Sequence, residues 1–136
     1  MKSKLNWRVF LFSGLILTLM NSLVACSEAI QGPVIGFDPP SLSFSAEEGG
    51  QNPKSQTLTI TDAGIGAMPW SVTVSSDATW LSLSPDSGTS SGEIDKVTVS
   101  VDISGMSAGD YSASITITAT KAPNTPQTVP VNLNIS

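Results

Sequence analysis

The 136-residue sequence contains no histidine. Histidine provides the base of Ser-His-Asp triads, the commonest proton donor and acceptor near neutral pH, and the nitrogen ligands of many zinc sites. Those sites cannot be built from this chain. A pair of carboxylates can hydrolyse a glycoside without histidine. The predicted loops have only a few residues each, however, and offer no deep cleft for such a pair. The sequence therefore predicts a protein that is not an enzyme and has no cofactor.

Basic residues are few, with six Lys and Arg against eleven Asp and Glu. After residue 25, three lysines remain against all eleven acidic residues, so the side chains sum to −8. Nucleic-acid binding draws its affinity from clustered Lys and Arg, so no nucleic-acid partner is expected. A basic patch on anionic lipid is disfavoured for the same reason.

The acidic residues suggest calcium, which prefers oxygen ligands. Several of them lie in or beside predicted loops, but no Asp-x-Asp-x-Asp-Gly spacing or similar cluster occurs. We interpret them as solubilising surface charge, and the sequence predicts no metal site. These residues are Asp77, Asp86, Glu93, Asp95 and Asp102.

Cysteine occurs once, as Cys26, so an internal disulfide is impossible and the domain must be held together by packing. Three basic residues precede it, followed by an apolar run over 9–20 and by Leu23 and Ala25. This arrangement resembles a bacterial lipoprotein signal. The resemblance implies lipid attachment to the Cys26 sulfur, cleavage before Cys26 and acylation of the new amino terminus.

Two other interpretations of this segment are weaker. An uncleaved membrane helix would need about 20 apolar residues, whereas Val9 to Ala25 is 17 residues interrupted by Asn21 and Ser22. A buried thiol at the end of a leader is improbable. We therefore predict a signal peptide over 1–25, a lipidated tether over 26–33 and one domain over 34–136. The predicted location is the cell envelope, at the outer membrane rather than the inner, because Ser27 is not the aspartate of known sorting rules.

Residues beyond the tether alternate between apolar and polar with a period of two, which is typical of half-buried antiparallel strands. No stretch of this region has helical periodicity. Seven or eight such short strands predict an all-β, immunoglobulin-like sandwich of two sheets. The shared core is expected to include Leu58, Ile60, Val99, Ile115, Ile117, Val131 and Leu133. Turns are predicted at 47–54, 62–69, 85–92, 104–109 and 121–126.

Tyr111 follows Gly109 and Asp110 at the start of the longest alternating run. This position predicts a tyrosine corner, in which the phenol hydroxyl bonds to backbone upstream and fixes the crossing between sheets. The alternative is a tyrosine at the rim that only packs on its neighbours.

Several segments resemble the BACON domain, and the most specific is Trp80-Leu81-Ser82-Leu83-Ser84-Pro85-Asp86-Ser87-Gly88. The strand segments 42–46, 56–61, 97–101 and 108–117 are similar to it as well. The resemblance covers roughly 34–136. It implies an immunoglobulin-like module of exported proteins for which glycan or mucin binding has been proposed, and it implies no fixed ligand residues.

Two functions follow as hypotheses. The first is a membrane-anchored, glycan-binding or adhesive lipoprotein, and the alternative is a scaffold subunit that pairs with another envelope protein. Trp70 has the parity of Val72 and is expected to point inward. Trp80 has the opposite parity to Leu81, so it either closes the end of the sandwich or forms an exposed sugar platform. Any ligand site is predicted near Trp80, with Asp77 and Asp86 orienting sugar hydroxyls.

Overall fold

The computed structural model describes residues 32–136, so the predicted leader and Cys26 lie outside the described range. Within it the chain forms nine strands and no helix, and therefore no helix that could span a membrane. The strands are β1 (Ile35–Asp38), β2 (Leu42–Ala46), β3 (Gln56–Asp62), β4 (Met68–Val74), β5 (Leu81–Ser84), β6 (Ser87–Ser90), β7 (Ile94–Val101), β8 (Gly109–Thr118) and β9 (Gln127–Ile135). The all-β prediction is confirmed.

The strands form a sandwich of two sheets, which confirms the predicted fold class. One sheet has the order β1-β3-β7-β5, and the other has the order β2-β9-β8-β4-β6. All neighbours are antiparallel except β2 and β9. The chain changes sheets three times over connections of two or three residues, at 39–41 between β1 and β2, at 85–86 between β5 and β6 and at 91–93 between β6 and β7.

The predicted turn at 85–92 is wrong in part, because it contains β6. Ser87-Gly88-Thr89-Ser90 lacks the β-branched apolar residues that mark a strand, yet it pairs with β4 in the register Trp70↔Gly88. The strand β1 was likewise not predicted. Both are four-residue edge strands, and their hydrogen bonds to a longer neighbour override a weak local preference.

The core lies between the sheets and follows the predicted alternation. All seven residues expected at its centre are at most 1% exposed, which confirms that prediction. Val74, Leu83, Tyr111 and Ala113 have the same inward parity but are only partly buried against this core.

The sandwich has two ends that carry different loops. We call the end where the described chain begins the N-terminal end, because β1 starts there opposite Asp62 and Asn124 bonds to the backbone of Ile35. The other end is the distal end, where Trp80 accepts a hydrogen bond from the backbone of Asp102. The N-terminal end comprises 32–34, 63–67, 91–93 and 119–126, and the distal end comprises 47–55, 75–80 and 102–108.

Candidate functional site

Trp70 is a structural residue that joins the two sheets. It is only 4% exposed, in agreement with its predicted inward direction. Its indole Nε1 donates a 2.7 Å hydrogen bond to Oδ2 of Asp95, which lies on β7 in the opposite sheet. The indole also lies against Gly88, where an added Cβ would come within 2.6 Å of the ring. Trp70 is therefore enclosed on several sides and has no face free for a ligand.

Tyr111 has the hydrogen bond expected of a tyrosine corner. Its Oη donates to the carbonyl of Ser107, four residues upstream, at 2.8 Å. Ser107 belongs to the loop that crosses from β7 in one sheet to β8 in the other. The bond therefore fixes this crossing at the distal end.

The structure does not bring Trp80, Asp77 and Asp86 together. Trp80 precedes β5 and Asp86 follows it, so four strand residues, about 13 Å of extended chain, separate them. The backbone carbonyl of Asp86 is bonded to Val72 in the middle of β4. Trp80 is partly buried and packs against the core, as the closure interpretation predicts. Asp77 lines a surface depression beside Ser75 and Ser114 that includes neither Trp80 nor Asp86.

The outer surface of the five-stranded sheet, which we call the polar face, carries short polar side chains from every strand. Along β9, Asn132 and Asn134 are exposed between fully or almost fully buried neighbours. The same alternation continues across the sheet, and Pro69 and Pro130 are the only apolar members of the surface. Its polar residues are Ser43, Ser45, Ser71, Thr73, Ser87, Thr89, Asp110, Ser112, Ser114, Thr116, Thr118, Thr128, Asn132 and Asn134.

Two depressions meet on this surface. The larger, about 360 Å³, lies over β2, β8 and β9. It is lined by the outward-facing Ser43, Asp110, Ser112, Asn132 and Asn134 and also by Phe44, Tyr111 and Leu133. The smaller, about 300 Å³, contains Asp77. Both include Ser112, so the two depressions are adjacent, and we call them together the polar groove.

The strand register places the donors and acceptors of the polar groove in rows. Ser43 and Ser112 both lie opposite Asn132, one on each side of it. In the adjacent row, Asn134 Nδ2 donates a 2.6 Å hydrogen bond to Asp110 Oδ1, which orients both groups. Neighbouring rows thus offer hydroxyl and amide groups spaced about 5 Å apart across the strands. An amide both donates and accepts, which suits it to pairing with vicinal hydroxyls.

Sequence reasoning did not select these residues. Their outward parity can be predicted from the alternation along β8 and β9, but every exposed Ser, Thr or Asn shares that signal. Which of them become neighbours depends on the pairing of β2, β8 and β9, and β2 is more than 80 residues from β9 in the chain.

A third depression, about 450 Å³, lies at the distal end between the 47–55 and 102–108 loops. Two of its polar side chains already bond across those loops. Asn52 accepts from the Ile103 N–H, and Glu48 accepts from the Ala108 N–H. Hydrogen bonds from the hydroxyl and the N–H of Ser104 lower the pKa of the Asp102 carboxyl. Among residues 32–136 no three acidic side chains converge as a metal site would require.

These features define an all-β, immunoglobulin-like module with a polar groove on one sheet. The family model described as the viral BACON domain, BACON_2, matches residues 34–132. The chain belongs to this family, whose members are non-catalytic binding modules. The comparison with curated proteins found no match.

Solved structures share the fold at low sequence identity. The periplasmic chaperone SfaE superposes with a TM-score of 0.60 at 8% identity, over 75% of this chain and 58% of its own. A Bacteroides ovatus GH5 xyloglucanase, in complex with a XXXG heptasaccharide, gives 0.56 at 19%, over 76% and 19%. The PapD-like domain 7 of human CEP192 gives 0.54 at 18%, over 82% and 94%. The chain thus spans little over half of the chaperone and a fifth of the xyloglucanase, and these similarities establish the fold alone.

Proposed function

We propose that the protein is a non-catalytic glycan-binding module that a lipid on Cys26 holds at the cell envelope. The observation that carries the glycan part is the polar groove, where hydroxyl, amide and carboxylate groups from three adjacent strands and one loop form a single surface. Sugar hydroxyls are donors and acceptors of the same kind. Membership of a family of binding modules supports the same choice.

The charge of the chain narrows the ligand class to uncharged glycans. The two carboxylates at the polar groove, Asp77 and Asp110, have no lysine or arginine beside them among the groove residues. A sulfated or sialylated chain would be repelled by these groups and by the overall negative charge. Binding will be weak, because a shallow groove buries little of a ligand.

The proposal that a lipid on Cys26 anchors the protein rests on the sequence before the domain. The basic start, the apolar run and Leu23-Val24-Ala25 before Cys26 are the features that such a signal requires. Several acyl chains together give a stable membrane attachment, whereas one does not. The proposed location remains the envelope, with the outer membrane favoured by Ser27.

The double variant Ser112→Ala/Asn132→Ala is expected to weaken glycan binding about tenfold or more. The two residues form one cross-strand pair in the polar groove, and each lost hydrogen bond is worth about 1 kcal/mol. The ligand is first identified by applying residues 27–136 to a broad glycan array, and the affinities are then measured by titration calorimetry.

The matched control is Thr57→Ala/Thr98→Ala, an exposed cross-strand pair on the outer surface of the other sheet. This variant should bind as the wild type does. Trp80→Ala should lower the thermal midpoint and leave binding intact, because Trp80 packs on the core. If Trp80→Ala instead abolishes binding at an unchanged midpoint, the aromatic platform is the site. If the wild type binds nothing on the array, the scaffold alternative replaces the glycan proposal.

A further inference from the structure

The N-terminal end exposes an uncharged, apolar loop. Residues 63–67 read Ala-Gly-Ile-Gly-Ala, and all five are exposed. Ile65 is 60% exposed, and Ile94, which starts β7 opposite Thr61 at the same end, is 62% exposed. Among the described residues these are the two large hydrophobic side chains left in solvent. Single exposed apolar residues are common, but these two lie at the same end of the sandwich, and we call them, together with the uncharged 63–67 loop, the patch.

Hydrogen bonds fix this loop to the first residues of the described chain. The Ile65 N–H donates to the carbonyl of Gly32 at 2.9 Å, and the Ala63 N–H donates to Val34 at 2.8 Å. The buried Asp62 carboxylate accepts from the N–H groups of Val34 and Gly64. A Cβ on Gly64 would collide with the Gly32 carbonyl at 2.1 Å, so only glycine allows this approach. Ile65 is thereby held beside the point where the chain leads back toward Cys26.

The connection to Cys26 is short. Six residue steps separate Cys26 from Gly32, and a fully extended chain covers at most about 22 Å over that number. A lipid on Cys26 therefore restricts Ile65 to a thin layer above the bilayer surface. The effective concentration of the patch at that surface is high, so an apolar contact too weak to act alone becomes significant.

The distribution of charge also favours an orientation in which the N-terminal end faces the membrane. The loops of the N-terminal end carry one acidic and one basic residue, Glu93 and Lys121. The Asp62 and Asp95 carboxylates at this end are buried or half-buried and hydrogen-bonded, so the charge that its loops expose sums to zero. The loops of the distal end carry four acidic residues and one lysine, and therefore a net charge of −3. Those residues are Glu47, Glu48, Asp77, Asp102 and Lys54. An anionic membrane repels the distal end and leaves the N-terminal end free to approach.

We infer that Ile65 and Ile94 dock on the lipid surface and hold the sandwich upright, with the distal end and the polar groove directed away from the membrane. The inference rests on the proposed lipidation of Cys26. Two isoleucines do not bind a bilayer without the anchor, so the contact sets orientation rather than attachment.

The test uses single-cysteine labelling of the lipidated full-length product. Its one native thiol is consumed by the lipid, so an added cysteine takes an environment-sensitive fluorophore alone. The positions are Ile65→Cys and Ile94→Cys, with the exposed distal residue Gln51→Cys as control. The proteins are reconstituted into phosphatidylethanolamine and phosphatidylglycerol vesicles with or without a spin-labelled lipid quencher. Emission at 65 and 94 should shift to shorter wavelength and be quenched, while the Gln51→Cys probe should show neither effect.

Equal emission and equal quenching at all three positions, in protein that is lipidated and membrane-bound, would overturn the docking. Energy transfer between copies that rises with protein density, without lipid quenching, would identify a second copy as the occupant and also overturn it. Failure of lipidation is recognised separately, because the product then incorporates no labelled fatty acid. The variant Ile65→Ser/Ile94→Ser should stay membrane-bound but become more accessible to protease at 63–67. Unchanged protection in that variant would contradict the inference.

Discussion

Replacing Trp70 with alanine is expected to lower the free energy of unfolding by about 3 to 5 kcal/mol. A small domain has only about 5 to 15 kcal/mol in total, so the variant should be close to unfolded at physiological temperature. The loss has two sources. The buried indole leaves a cavity between the sheets, and Asp95 loses the donor that joins β7 to β4. Chemical denaturation, monitored by far-ultraviolet circular dichroism instead of tryptophan fluorescence, measures the change.

Two further variants separate those sources. Trp70→Phe keeps an aromatic ring but removes the N–H, and a loss of about 1 to 3 kcal/mol is expected from the unpaired Asp95. Gly88→Ala keeps the hydrogen bond but adds a methyl group 2.6 Å from the indole, and overpacking should cost about 1 to 3 kcal/mol. If Trp70→Ala changes stability by less than 1 kcal/mol, Trp70 is not the junction between the sheets.

The structure also explains the residues of the segment from Trp80 to Gly88, on which the family prediction was based. In Trp80 to Gly88, Trp80 packs on the core at the start of β5. The chain changes sheets at Pro85 and Asp86, and Gly88 provides the space for Trp70. The segment therefore specifies the crossing between the two sheets and the space that the Trp70 indole occupies. Its specificity as a motif reflects folding, which is why it did not identify ligand residues.

Seven of the nine strands could be predicted because each buries alternate apolar residues on one face. The edge strand β1 was missed because it offers only two alternating apolar residues, Ile35 and Phe37, separated by a glycine. The edge strand β6 was missed because it has none. In β6, Ser90 is the only fully buried residue, and it acts through hydrogen bonds with Asp62 and Glu93 rather than through apolar contact. Such a polar strand has no hydrophobic period to detect.

The polar groove was less predictable than the core. Burial of Leu58 or Ile117 follows from local alternation, whereas the groove needs the register of β2, β8 and β9 together. The pairing Ser112↔Asn132 joins residues 20 apart, and Ser43↔Asn132 joins residues 89 apart. The sequence analysis placed the ligand site at Trp80 because aromatic rings stack on the apolar faces of sugar rings. The polar atoms of the groove carry no comparable compositional signal.

The Cys26→Ser variant is expected to abolish lipid attachment completely. Serine has no thiolate to accept the lipid. Cleavage that depends on the lipidated cysteine should then fail as well, so that the leader is not removed. The variant should either appear in the soluble fraction or keep residues 1–25, and the two cases differ in mass. Labelled fatty acid incorporation and intact-protein mass spectrometry measure both.

The matched control for the lipidation prediction is Ser27→Ala, one residue further along the chain, which should be lipidated and membrane-bound like the wild type. In a two-membrane cell, Ser27→Asp should move the protein from the outer to the inner membrane, because aspartate after the lipidated cysteine resembles the known retention signal. A Cys26→Ser protein that is still processed and still membrane-bound at the wild-type level would contradict the anchor. It would also remove the basis for an oriented domain, since a reach of about 22 Å from Cys26 places Ile65 at the membrane only when the lipid is there.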